Sequence, residues 1–193
     1  LLSLVFSFFS SFHSLITFLL ASTLSSTLFL FLSLSFSRLP CSLFLATHTF
    51  CFYSISILGT VGGAKYGIAK KANLIAVKCL NSKGSGSSDW IIAAIDWVTR
   101  QPRPNGAVIN MSLGTSSVFY PINNAVERAV AAGVNVVVAA GNSNEPACGS
   151  SPASAANAIT VGATGTDDSR AGFSNFGTCL DIFAPGKDII SAQ

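Results

Sequence analysis

The first 58 residues contain no aspartate, no glutamate and no glycine, and Arg38 is their one charged side chain. Without a carboxylate, that segment can supply neither an acid–base pair of carboxylates nor the aspartate of a catalytic triad. Without glycine it has no cheap left-handed turn. Over all 193 residues only 10% are charged and the net charge is +3, too slight to draw in a polyanion, so no nucleic-acid partner is expected. Histidine occurs twice, at His13 and His48, and none of the five cysteines has metal-ligand spacing, which excludes a zinc site of the usual kind.

What fills residues 1–58 is Leu, Ser and Phe, 40 positions in all. Residues 1–37 are apolar over a longer run than the roughly 20 residues that span a bilayer. Serines interrupt the run every few positions, however, and neither a basic leader nor a small-residue cleavage site flanks it. A membrane partner is therefore expected only if this run is a genuine translated segment. Three readings stay open: a membrane or signal segment, a soluble core element, and translated non-coding sequence. The third is favoured because pyrimidine-rich codons yield this vocabulary and "ISIL" before Gly59 is compatible with a splice acceptor. The chain begins at Leu1, so the native amino terminus is expected elsewhere. Residues 1–58 are accordingly read as a low-complexity, disordered or spurious segment, with the boundary at Gly59.

Residues 59–193 carry all 16 glycines and all eight acids. Short β-branched runs alternate there with helical stretches, the pattern of a parallel sheet wrapped by helices. A strand is expected at 73–80, followed by a polar turn. Next comes a helix capped by Ser87 or Ser88 and running to Arg100, with Trp90, Ala94, Trp97 and Val98 at helical spacing. A second strand is expected at 107–113, a helix opened by Pro121 and closed by Gly133, and a third strand at 134–140 buried on both faces. Shorter strands are expected at 158–163 and 180–183. Right-handed crossovers make the β-α-β-α-β unit parallel. Ligands bind beyond the carboxyl ends of such strands, so "SLGTSS" from Ser112 and "AAGNSN" from Ala139 share one rim. Asn142 can aim an amide donor into that crevice; alternatively, Gly141 and Asn142 form only a tight turn.

The segments "GTVGGAKYGIAKKANLIAVK", "NGAVINMSLG", "GVNVVVAAGNSN", "SPASAANAITVGAT" and "FSNFGTCLDIFAPGKDIISA" resemble, in order, the subtilisin-like serine proteases (peptidase S8), most closely the secreted proteinase K group. The resemblance implies a three-layer α/β subtilisin-like fold with a mostly parallel sheet, of which residues 59–193 are the central part of the catalytic domain. It implies a serine endopeptidase acting on polypeptides through an acyl-enzyme, secreted and monomeric, with a propeptide or inhibitor as further partner. By position, Asn142 corresponds to the oxyanion-hole side chain. Ser112, Leu113 and Gly114 match the edge that pairs with extended substrate, and Ala139, Ala140 and Gly141 match a wall of the specificity pocket with residues 151–154 nearby. Small residues in those walls imply a roomy apolar pocket. The chemistry requires no cofactor. A structural calcium is implied at Asp181 with the carbonyls of Ala156 and Ala158, against the alternative of a solvated aspartate at a strand end. The resemblance also pairs Cys148 with Cys179; Cys79 reads as a buried thiol, and Cys41 and Cys51 fall in the doubtful segment. The "NMS" sequon at Asn110 lies on a strand expected to be buried, so no glycan is expected there.

The family's triad is not in this sequence. No aspartate precedes Gly59, Tyr53 stands where "GHGTH" places its histidine, and the "GTSMA" serine would follow Gln193. His13 and His48 lack the motif and read as incidental. The chain as it stands is expected to be an inactive fragment of an endopeptidase, or a membrane-anchored, non-catalytic peptide-binding pseudoprotease.

Overall fold

Ser87 caps a helix by accepting a hydrogen bond on its side chain from Trp90 N at 3.3 Å. That helix, α2 (Ser88–Arg100), carries Asp89 in its first turn and Arg100 in its last, each favourable to the helix dipole. Its buried stripe is Ile91, Ala94, Ile95 and Val98. Trp90 and Trp97, expected on that stripe, lie on its flanks and are partly buried, because their ring volume fits the margin of the core better than its centre. Helix α3 (Tyr120–Ala131) has Pro121 in its first turn, and Gly133 follows it at φ +84° with open space where a Cβ would stand.

In this computed structural model, residues 4–9, 52–81, 84–102 and 106–191 are described, with the backbone alone for 4–9 and 52–56. Six strands form one parallel sheet: β1 (Leu4–Phe9), β2 (Asn73–Ala76), β3 (Ala107–Ser112), β4 (Val134–Ala139), β5 (Ile159–Thr164) and β6 (Ile182–Pro185). Their order is β2-β1-β3-β4-β5-β6. The β2-α2-β3 and β3-α3-β4 connections bring α2 and α3 into one core. There they bury Ile109, Met111, Val134, Val136, Ile122 and Val126, all at 1% exposure or less.

The structure changes several sequence expectations. The sequence reading sets residues 1–58 outside the fold, yet Leu4–Phe9 pairs with β2 from Leu4↔Asn73 to Ser7↔Ala76 and with β3 from Leu4↔Ala107 to Phe9↔Ser112. Main-chain pairing tolerates almost any apolar strand, so "LVFSFF" can satisfy the two edges that β2 and β3 would otherwise leave open. Helix α1 (Phe52–Gly62) runs through the expected boundary residue Gly59. The first strand ends at Ala76 rather than residue 80, where its pairing with β1 stops; beyond it Cys79 and Leu80 are buried. The last two strands start one and two residues later than expected.

β4 is not buried on both faces. Val134, Val136 and Val138 are covered, whereas Asn135 is exposed and Val137 half-buried. Among the described residues, α1 lies beside β1 and β2. Ile159, Ile182 and Phe183, on the last two strands, are exposed.

Candidate active site

β3 and β4 run in register from Ala107↔Val134 to Met111↔Val138, so their carboxyl ends arrive together. The segments that follow, 112–115 and 139–145, therefore face one crevice at the rim of the sheet. Leu113 is 4% exposed and belongs to the core cluster. Ser112 Oγ accepts from Asn110 Nδ2 at 2.9 Å, and Gly114 is exposed.

The segment 112–119 is laced to the loop at Ser151. Thr115 N donates to Ser151 O at 2.8 Å, Ser151 N donates to Thr115 Oγ1 at 2.9 Å, and Phe119 N donates to Ser151 Oγ at 2.9 Å. The peptide bond Ser151–Pro152 is cis. Two further contacts hold this loop: Asn123 Nδ2 of α3 donates to Ser154 Oγ at 2.9 Å, and Thr160 Oγ1 of β5 donates to Ala153 O at 3.1 Å. The loop 151–154 is thus held by segment 112–119, by α3 and by β5.

Across from it, the turn after β4 carries Asn142. Gly141 adopts φ +103°, a conformation that suits glycine, and a Cβ there would come within 2.5 Å of Asn175 Nδ2. Asn142 is exposed, and its side chain makes no hydrogen bond among the described residues. An amide held on a fixed turn with no internal partner can donate to a ligand. Ala140 is 1% exposed and packs with Ala147, Ala153, Cys179 and Leu180, so its methyl group serves the interior while Ala139 and Gly141 remain half-open.

A disulfide joins Cys148 to Cys179 with their Cα atoms 5.2 Å apart, and it ties the loop after Asn142 to the approach of β6. Cys79 is buried and retains its thiol. Asp181 is exposed; its Oδ2 accepts from Thr160 N at 2.7 Å and its own N–H donates to Thr160 O at 3.0 Å. Ala156 is exposed and Ala158 buried, both in the turn before β5. No group of three or more His, Cys, Asp or Glu side chains is assembled for a metal among the described residues. Tyr53 lies in the first turn of α1, while His13, His48, Cys41 and Cys51 lie outside the described residues.

A sequence profile of the subtilase family matches residues 54–193. This chain belongs to the subtilase family. Subtilisin-like protease 2 of Pseudogymnoascus destructans is 53% identical over 134 residues, covering 69% of this chain and 33% of the fungal protein. The extracellular serine proteinase of Thermus sp. is 54% identical over 136 residues, covering 70% of this chain and 33% of its own. The crystal structure of a cold adapted subtilisin-like serine proteinase superposes with a TM-score of 0.68 at 44% identity, over 71% of this chain and 50% of that one. This subtilase thus spans about a third of the length of those curated relatives. The fold is the α/β subtilisin-like fold that the motifs imply, in part. Sequence reasoning does not single out Asn175 in "FSNFG" or Ser151 as organisers of the site, since a lone polar residue in a loop has no periodicity to mark it.

Proposed function

We propose that this chain is the central part of the catalytic domain of a secreted serine endopeptidase, with an extended polypeptide as substrate. Substrate backbone pairs with residues 112–114, the side chain before the scissile bond enters between 112–115 and 139–142 with residues 151–154 at its base, and Asn142 donates to the developing oxyanion. The exposed, unengaged amide of Asn142 on a braced turn carries this reading. In subtilisin itself, losing the equivalent donor lowers turnover about 100- to 1000-fold, a measured reference value rather than one worked from this structure. A propeptide or inhibitor would occupy the same cleft, and the unit acts as a monomer.

The 193 residues hold no "GHGTH" or "GTSMA" segment, and the chain as it stands is proposed to be hydrolytically silent. Incubation with casein and a fluorophosphonate serine reagent should give neither cleavage nor label. Labelled, inhibitable hydrolysis would sink this part of the proposal. A transcript encoding those two segments on either side would support the endopeptidase reading. The pairing of Leu4–Phe9 inside the sheet favours a second reading, a non-catalytic product that keeps the cleft for peptide binding. Its membrane anchor would lie outside the described residues, among which no helix is long and apolar enough to cross a membrane. Recovery of the 193-residue chain from cells, stable and binding peptide, would support that alternative.

Asp181 and the carbonyls of Ala156 and Ala158 are proposed to hold a structural calcium, which would tie the start of β5 to the start of β6 and take no part in bond cleavage. Millimolar calcium should raise the melting temperature of the wild-type chain and leave Asp181→Asn unmoved. An equal rise in both would place the ion elsewhere.

A further inference from the structure

Asn175 sits far from Asn142 in sequence but bonds to four backbone groups of the turn that presents it. Its Nδ2 donates to Ala140 O at 2.9 Å, and its Oδ1 accepts from Ser143 N at 3.0 Å and Glu145 N at 3.1 Å. Its own N–H donates to Gly141 O at 3.0 Å. Four hydrogen bonds from one residue thus clamp positions 140, 141, 143 and 145, on both sides of Asn142. The residue is 5% exposed, so these bonds are shielded from water. The same turn is strapped a second time: Asn144 N donates to Phe173 O at 2.9 Å, and Arg170 Nη1 donates to Asn144 Oδ1 at 2.8 Å while its guanidinium lies 5.1 Å from the centre of the Phe176 ring.

We infer that Asn175 is a positioning residue for the oxyanion donor: its carboxamide sets the backbone of residues 140–145 and thereby aims the amide of Asn142. This rests on the reading of Asn142 as that donor. The chemistry requires a carboxamide. Oδ1 must accept from two N–H groups while Nδ2 donates to a carbonyl, and among side chains of this length only asparagine does both. A carboxylate would keep the acceptor and set a negative oxygen against Ala140 O. An alanine would leave three backbone groups of the turn unpartnered.

The test compares two noncovalent probes on the 193-residue chain, an extended peptide and the same peptide with a phosphonate anion in place of the scissile amide. A charge-assisted donor should give the wild type about 10- to 100-fold tighter binding of the phosphonate. Asn142→Ala should abolish that preference. Asn175→Ala and Asn175→Asp should each cut it about tenfold or more, read as the ratio of phosphonate to plain-peptide affinity, so that any change in the shared wall at 139–142 cancels between the two probes. Exchange of the Ser143 and Glu145 amide protons should quicken in Asn175→Ala and stay slow in Asn175→Asp, which keeps the acceptor and guards against a variant that fails to fold. If the wild type shows no preference, the oxyanion reading fails and takes this inference with it. If Asn142→Ala loses the preference and folded Asn175→Asp keeps it in full, the oxyanion reading stands and the positioning role of Asn175 is overturned.

Discussion

Removing the disulfide isolates one covalent contribution to a fold whose last two strands leave Ile159, Ile182 and Phe183 exposed. Cys148 and Cys179 are 31 residues apart, and the loop they close contains β5, the 165–170 turn and Asn175. In the chain-entropy description, closing about 31 residues restricts the unfolded ensemble by about 3.7 kcal/mol at room temperature. Paired Cys148→Ala and Cys179→Ala substitutions keep an apolar group against the small cluster of Ala140, Ala147 and Ala153, so added packing loss stays small. Urea unfolding followed through Trp90 and Trp97 fluorescence reads the difference. With a slope of about 2 kcal/mol per molar urea for a domain of this size, the midpoint should fall by about 2 M. Reductant should move the wild type to the same midpoint and leave the double variant where it is. A midpoint change under about 0.5 M would show that the cross-link does little to the unfolded chain, and the loop-closure reasoning would be wrong for this protein.

Gly141→Ala combines a left-handed backbone at φ +103° with a Cβ placed against Asn175 Nδ2. It should cost about 2–4 kcal/mol in the same unfolding assay, and an unchanged midpoint would contradict the close approach of turn and clamp. Met111→Ala at a fully buried position of β3 should cost about 2–5 kcal/mol through the cavity it leaves, read as a fall in melting temperature. The side-chain hydroxyl of Ser169 bonding to Asp167, aided by the Ser169 backbone N–H, holds that carboxyl below its ordinary range. Its contribution is present above the ordinary carboxylate value and is lost as pH falls through the lower folded-state value. Carboxyl NMR titration should follow this order, and Ser169→Ala should move the midpoint upward.

Much of the fold was legible because local physics dictates it. The cap at Ser87, Pro121 in the first turn of α3, the left-handed Gly133 and the β-branched runs of β3 and β4 need only a few neighbouring residues to make their case. That residues 112–114 and Asn142 lie at the carboxyl ends of β3 and β4 was legible, since a small-residue loop after a buried strand marks the rim of a parallel sheet. Burial on the second face of β4 was not legible, because an apolar run reports what a strand can bury and not whether a partner arrives to cover it.

The amino-acid order alone determined the family, the parallel α/β unit and the loop that offers an amide donor, because each is written in residues adjacent or regularly spaced along the chain. Only the tertiary structure decided that "LVFSFF" completes the sheet between β2 and β3, that Ser151 laces its loop to segment 112–119, and that Asn175 grips the turn of Asn142 from more than 30 residues away. Strand pairing and side-chain-to-backbone clamps depend on which distant groups meet, and a one-dimensional pattern does not encode that meeting in any short window.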